Sequence, residues 1–215
     1  MMAVADGVGG GPSGRDASLA ALETLARTVT ESVDADMPLR GAILDGLEKA
    51  QEAVQAIGGG AATTIAVVGV DGERMRPFHA GDSEILLVGQ RGRVKHRTLS
   101  HAPVAYALES GYLEEKEALR HDERHLVTNA LGLSQARIEM GPRLRMAARD
   151  TMLLASDGVT DNLYLEEIVE TIRTGTPAAG GALLADRVRR RMLREGGATS
   201  PGKADDMTFV IWRLT

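Results

Sequence analysis

The sequence predicts an α+β fold: an antiparallel β-sandwich with helix layers packed outside it, an α-β-β-α arrangement. Three observations carry that reading. Strand-like runs are joined by hairpin turns, helical patterns arrive in pairs, and no strand–helix–strand alternation runs through the 215 residues. Without an internal repeat or a linker-like stretch, residues 1–215 read as a single domain.

The elements follow in order. Residues 1–5 are apolar and run into Asp6-Gly7-Val8-Gly9-Gly10-Gly11, so a strand begins at the first residue. From about Ser13, Leu19, Leu22, Leu25, Ala26 and Val29 recur at helical spacing. After Pro38, the residues Leu39, Ile43, Leu47, Ala50, Val54 and Ile57 form a second apolar stripe, which ends at Gly58-Gly59-Gly60. Residues 61–70 are rich in β-branched side chains, Asp71-Gly72 is a hairpin signal, and residues 75–80 return. Residues 84–88 and 94–99 suggest another hairpin about Gly89 and Gly92. Short helices are expected at 103–110 and 114–121, a weak strand near 138–140, and a buried strand at 151–155. Helices at 165–173 and 182–195 precede a polar loop, 196–204, and a last strand, 207–214.

Composition narrows the function. With one Trp, three Tyr and two Phe, the core must be aliphatic, and Met140, Met146, Met152 and Met192 read as core fillers. The absence of Cys excludes a disulfide framework, a thiolate zinc site and a Cys nucleophile. A net charge of −5 argues against a nucleic-acid partner, which requires a basic surface. No apolar run reaches the length of a membrane span and the start lacks a signal-peptide layout, so no membrane partner and a cytoplasmic location are expected.

The carboxylates point to chemistry. Asp6 and Asp157 each end an apolar strand and precede a Gly, and Asp205-Asp206 stands immediately before the final strand. Hard cations such as Mg²⁺ and Mn²⁺ take oxygen ligands, and strand ends hold carboxylates rigidly. Glycine after Asp permits close backbone approach and frees its own carbonyl as a ligand. A single Asp-Gly pair would be read as a turn; three acidic strand ends in a chain without Cys favour metal.

These residues carry a family resemblance. The segment from Ala3 to Gly10 is similar to the VADGxGG motif of the PPM-type (type 2C) metal-dependent Ser/Thr protein phosphatases. Ala62-Thr63-Thr64 resembles that family's GTT, and Ala80-Gly81-Asp82-Ser83 its GDS strand end. Gly111 to Glu117 and His121 to Gly132 resemble the flap and HPxRNxLTRALG segments of bacterial members. Ala155 to Asp161 resembles SDGLTD, and Ala204 to Thr208 resembles xDNxT. The matches keep family order across nearly the whole chain.

The resemblance implies that Asp6 bridges two Mn²⁺ or Mg²⁺ ions, that the Gly7 carbonyl binds one of them, and that Asp157 and Asp205 complete the other site. A hydroxide between the ions would then hydrolyse phosphoserine and phosphothreonine in a phosphoprotein substrate, without a phosphoenzyme. Asp6, Asp157 and Asp205 are thus the implied catalytic residues. In Ser100-His101 a hydroxyl stands where bacterial relatives place the Asp of a third metal site, so two ions are implied. Asn129 replaces the Arg of TRALG, Val8 stands where eukaryotic members have a His, and Asp206 falls on the family's Asn.

The family opens with two strands that carry a phosphate-binding Arg and an acidic pair, whereas Met1 already lies in the strand before Asp6. The resemblance therefore implies an N-terminally incomplete domain, with a sheet edge that another chain or segment could complete. A second function remains open: a catalytically weak or inactive regulatory module that binds metal or phosphoprotein.

Other patterns are weaker. Gly9-x-Gly11-x-x-Gly14 formally matches a dinucleotide fingerprint, but Pro12 interrupts it and no second parallel strand follows. His121 and His125 could share a helix face, although no third ligand is evident. Arg187, Arg189, Arg190, Arg191 and Arg194 read as a solvated basic face.

Overall fold

The structure, a computed structural model, describes residues 1–9, 12–195 and 201–215. Gly10 and Gly11 of the glycine-rich turn and residues 196–200 of the expected polar loop lie outside the described residues. The chain begins with β1 (Met2–Val4), α1 (Pro12–Asp34), α2 (Leu39–Ile57), β2 (Ile65–Asp71), β3 (Arg74–Ala80), β4 (Glu84–Val88) and β5 (Val94–Arg97). It continues through α3 (Pro103–Glu109), α4 (Glu115–Ala118), a 3₁₀ turn at Asp122–His125, β6 (Glu139–Met140), β7 (Leu144–Arg145) and β8 (Thr151–Ala155). It closes with α5 (Asp157–Thr160), α6 (Leu165–Ile172), α7 (Pro177–Met192) and β9 (Phe209–Arg213). Every strand pairing among the described residues is antiparallel. No described helix is long and apolar enough to cross a membrane.

Two compact units result. The first comprises residues 1–83 and 128–145. Its sheet runs β1-β2-β3-β6, with β7 also pairing with β3. The long stripes of α1 and α2 bury Leu25, Ile43, Leu47 and Val54 in one cluster with Ile65, Val67 and Phe78 of the sheet. Each such side chain removed from water stabilises the fold by roughly 1.5–3 kcal/mol. Ala66 and Val68, on alternate positions of β2, are buried too, which is why that strand reads as a continuous apolar run and not as an alternation.

The second unit comprises residues 84–127 and 146–215. Its sheet runs β5-β4-β8-β9. Leu86, Val88, Leu153 and Ala155 pack with Ile168, Val169 and Ile172 of α6 and Leu184 and Val188 of α7.

Several boundaries differ from expectation. Residues 61–64 are not strand: Thr63 forms isolated bridges with Gly7 and Leu131, which spends the local backbone on loop contacts. The helix expected at 114–121 shrinks to the one-turn α4, opened by a reciprocal Glu114–Glu117 capping box. The helix expected from 182 starts five residues earlier, because Thr176 caps it (Ala179 N–H to Oγ1, 3.2 Å) and Pro177 occupies its first turn. Met140 is exposed and its sulfur accepts a hydrogen bond from Arg40, whereas Met146 and Met152 are buried as expected.

The weaker motifs also resolve. Among the described residues no strand pairs in parallel, as a dinucleotide-binding unit would need, while Gly11 of the pattern lies outside the described residues. His121 and His125 do not share a helix face: His121 caps the 3₁₀ turn, its Nδ1 accepting from Glu123 N–H. The basic run is only partly solvated, since Arg187 donates to Thr171 Oγ1 (2.9 Å) and Arg191 to Glu167 (2.5 Å).

Candidate metal centre

In the second unit, the fully buried β8 delivers Ser156 and then Asp157, the first residue of α5. Ser156 N–H donates to the Thr208 carbonyl (3.0 Å) and Thr208 N–H to Ser156 Oγ (3.2 Å). These bonds extend the β8–β9 pairing beyond Ala155 and Phe209, so the segment 205–208 passes beside Asp157. Gly158 makes that passage possible: a Cβ built on it would lie 1.9 Å from the Asp206 carbonyl oxygen. Asn162, fully buried, donates from Nδ2 to the carbonyls of Gly158 (2.9 Å) and Lys203 (3.0 Å). Its Oδ1 accepts from Lys203 N–H (2.8 Å).

Asp157 and Asp205, distant in sequence, are thereby brought to one ammonium group. Lys203 Nζ bonds Asp157 Oδ2, lies 2.8 Å from Asp205 Oδ2, and lies 3.1 Å from Asp161 Oδ2. Burial alone would lower the Lys203 pKa, but its bonds to Asp157 and Asp205 and the charges of Asp161 and Asp157 raise it well above the ordinary lysine range. Burial, and then the neighbouring Asp157 charge, push Asp161 from 3.8 up to about 6, against the opposing pull of Lys203 and Arg124. Asp161 Oδ2 is buried without a well-formed hydrogen bond, and Arg124 Nε, 3.9 Å away, is equally unsatisfied. Asp206 stays outside this cluster as a neighbour, its N–H donating to Asp205 Oδ1.

Asp6 and Gly7 belong to the first unit. Asp6 N–H donates to Thr64 Oγ1 (3.2 Å), while its carbonyl accepts from Thr64 N–H (2.8 Å) and Thr63 Oγ1 (2.8 Å). Thr64 Oγ1 pairs with Ser83 Oγ at 2.7 Å, which ties the strand end after β3 to this loop. A Cβ on Gly7 would lie 2.2 Å from backbone atoms of Gly14, so α1 can begin against the Asp6 loop only over a glycine. A 310 Å³ cavity in this unit, lined in part by Arg40, Arg74, Arg76 and Arg143, contains none of the expected ligands.

The donor set fits a hard divalent cation. Asp157, Asp161 and Asp205 offer oxygen only, all three converge on the single point that Lys203 Nζ holds, and Gly158 lets the segment carrying Asp205 run beside Asp157. Residues 1–187 match the family model described as protein phosphatase 2C. The chain belongs to the protein phosphatase 2C family.

Within that family it is 28% identical over 187 residues to protein phosphatase PhpP of Streptococcus pneumoniae, covering 83% of this chain and 75% of that one. It is 29% identical over 218 residues to serine/threonine protein phosphatase PstP of Mycobacterium tuberculosis, covering 98% of this chain and 40% of PstP. The crystal structure of M. tuberculosis PstP superposes with a TM-score of 0.81 at 26% identity, covering 99% of this chain and 87% of that one. A structure of the PstP catalytic domain in complex with two manganese ions superposes at 0.76 with 25% identity, over 97% and 84% of the respective chains. This type 2C member therefore has the mixed α+β fold, with antiparallel sheets and helices, of solved relatives.

Sequence reasoning placed Asp157 and Asp205 but missed three residues of the cluster. Asp161 lay inside a quoted motif without a role, and Lys203 and Asn162 carried no signal. Only the proximity of Lys203 to Asp205 along the chain could have pointed to it.

Proposed function

We propose that this chain hydrolyses phosphoserine and phosphothreonine esters of proteins, with Mn²⁺ or Mg²⁺ held by Asp6 and the Gly7 carbonyl in the first unit and by Asp157 and Asp205 in the second. The observation that carries the reading is the convergence of Asp157 and Asp205, set by Asn162 and Gly158, in a type 2C chain. Two bound ions in such enzymes activate a water as nucleophile and neutralise charge on the phosphoryl oxygens. The chain's own part is positional. Asp157 is fixed at the junction of β8 and α5, and Asp205 by the approach to β9 that Ser156 and Thr208 pin. Asp6 is fixed by three bonds to Thr63 and Thr64.

Hydrolysis of a phosphothreonine peptide and of an aryl phosphate, with and without Mn²⁺, tests this. Turnover should require the ion and fall by more than about a hundredfold in Asp157→Asn. Equal rates above background in the wild type and Asp157→Asn would remove Asp157 from the metal site, and wild-type rates at the protein-free background would leave a binding module without phosphatase activity.

A further inference from the structure

Lys203 brings a positive charge to the place where a divalent cation would meet Asp157 and Asp205. An ammonium has three donors and no acceptor, and here three carboxylates surround it: Asp157, Asp205 at 2.8 Å and Asp161 at 3.1 Å. We propose that Lys203 is a built-in competitor of the divalent cation, holding the Asp157–Asp161–Asp205 cluster in the metal-free protein and swinging out when the ion binds.

The surroundings suit a swinging side chain on a fixed backbone. Both backbone polar groups of Lys203 are bonded to Asn162, so the main chain is anchored. The side chain is 20% exposed, which gives the ammonium a way to water without moving that anchor. Lysine's flexible four-carbon stem permits the swing, whereas an arginine fork would be stiffer. The other facing cation, Arg124, stands 3.9 Å from Asp161 without a hydrogen bond at Nε and does not replace Lys203 at Asp157 or Asp205. The proposal rests on the phosphatase reading only in taking Asp157 and Asp205 as metal ligands.

Two measurements on the full chain test it, and neither reads turnover. The first is Mn²⁺ titration followed by the electron paramagnetic resonance of the free ion, for wild type, Lys203→Met, Lys203→Gln and Asp157→Asn. Both Lys203 variants should bind Mn²⁺ at least about tenfold more tightly, the scale set by one charge-assisted hydrogen bond. Asp157→Asn should bind more weakly than wild type. Lys203→Gln keeps a polar group among the carboxylates, so it serves if Lys203→Met does not fold.

The second measurement is amine acetylation of wild type, quantified at Lys203 by peptide mass spectrometry. Labelling of Lys203 should rise as Mn²⁺ is added, because the ammonium moves to water. Unchanged labelling at saturating Mn²⁺ would show an ammonium that stays in place and acts only through space, which overturns the proposal. So would unchanged or weaker affinity in the Lys203 variants, or no Mn²⁺ binding by any of these proteins. A protein that binds Mn²⁺ as expected yet hydrolyses no phosphoester would remove the phosphatase reading and leave the competition standing.

Discussion

The side-chain amide of Asn162 pairs with both backbone groups of Lys203, accepting from its N–H at 2.8 Å and donating to its carbonyl at 3.0 Å. The same Nδ2 also reaches the Gly158 carbonyl at 2.9 Å. One buried side chain thus joins the turn that carries Asp157 to the segment that carries Asp205. Nothing in a single sequence marks an asparagine for that task, since its partners are main-chain atoms with no residue identity.

Replacing Asn162 with Ala would leave one N–H and two carbonyls of this turn without their partner. Buried unsatisfied groups cost about 1–3 kcal/mol each, with partial relief from water, so Asn162→Ala should destabilise by about 2–4 kcal/mol. Urea denaturation with the slope held constant measures it. A loss below about 1 kcal/mol would mean that other groups position the segment.

Gly158→Ala tests the close approach directly. Its Cβ would lie 1.9 Å from the Asp206 carbonyl oxygen, and a backbone atom cannot rotate away. Overpacking against main chain costs typically about 1–3 kcal/mol, and the displaced segment is the one that carries Asp205. The expected outcome is a lowered melting temperature together with weaker Mn²⁺ binding. A variant with wild-type Mn²⁺ affinity would show that Asp205 does not depend on this contact.

How much of this was legible in the sequence depends on scale. The stripes from Leu19 to Val29 and from Leu39 to Ile57 marked α1 and α2 because a long amphipathic helix repeats its signal over many turns. Polar punctuation was harder. Pro177 and Gly180-Gly181 look like breakers, yet a proline in the first turn behind a Thr176 cap starts a helix. At the candidate site, strand-end Asp-Gly pairs single out Asp6 and Asp157 as expected ligands, and of these Asp157 lies with Asp205 about Lys203. The glycines of those pairs answer to packing: Gly7 makes room for Gly14, and Gly158 for Asp206. Lys203 and Asp161 stayed hidden because charge looks alike whether it faces water or another charge.

A buried ion pair in the second unit gives a prediction independent of the metal. Asp150 is almost fully buried and accepts from Lys95 Nζ (2.5 and 2.7 Å) and from Ala147 N–H (2.7 Å). Asp150→Ala strands the Lys95 ammonium and an amide beside the start of β8. Removing one partner of a buried pair costs about 3–5 kcal/mol; because Lys95 is 32% exposed and can turn to water, about 2–3 kcal/mol is expected by thermal or urea unfolding. Lys95→Met leaves the 3% exposed Asp150 carboxylate with only its amide bond and no route to water, so it should cost at least as much. A clearly smaller loss in Lys95→Met would show that the amide bond alone suffices to hold Asp150.

Asp161 makes stability depend on pH in a direction opposite to that of most acidic residues. Its folded-state pKa of about 6 lies above the ordinary 3.8, because burial and the adjacent Asp157 charge disfavour its ionised form. The folded protein therefore binds this proton more tightly than the unfolded chain does. The associated stabilisation is complete below about pH 3.8 and is lost as pH rises through about 6. At about 1.4 kcal/mol for each tenfold difference in proton affinity, metal-free protein should lose about 2–3 kcal/mol through this group between pH 4 and pH 7. Asp161→Asn has no proton to lose there. The stability difference between Asp161→Asn and wild type, measured in chelator by urea unfolding, should therefore shift toward the variant by that amount over the same range. A difference that stays flat with pH would show that Asp161 is already well solvated or fully neutralised by Lys203.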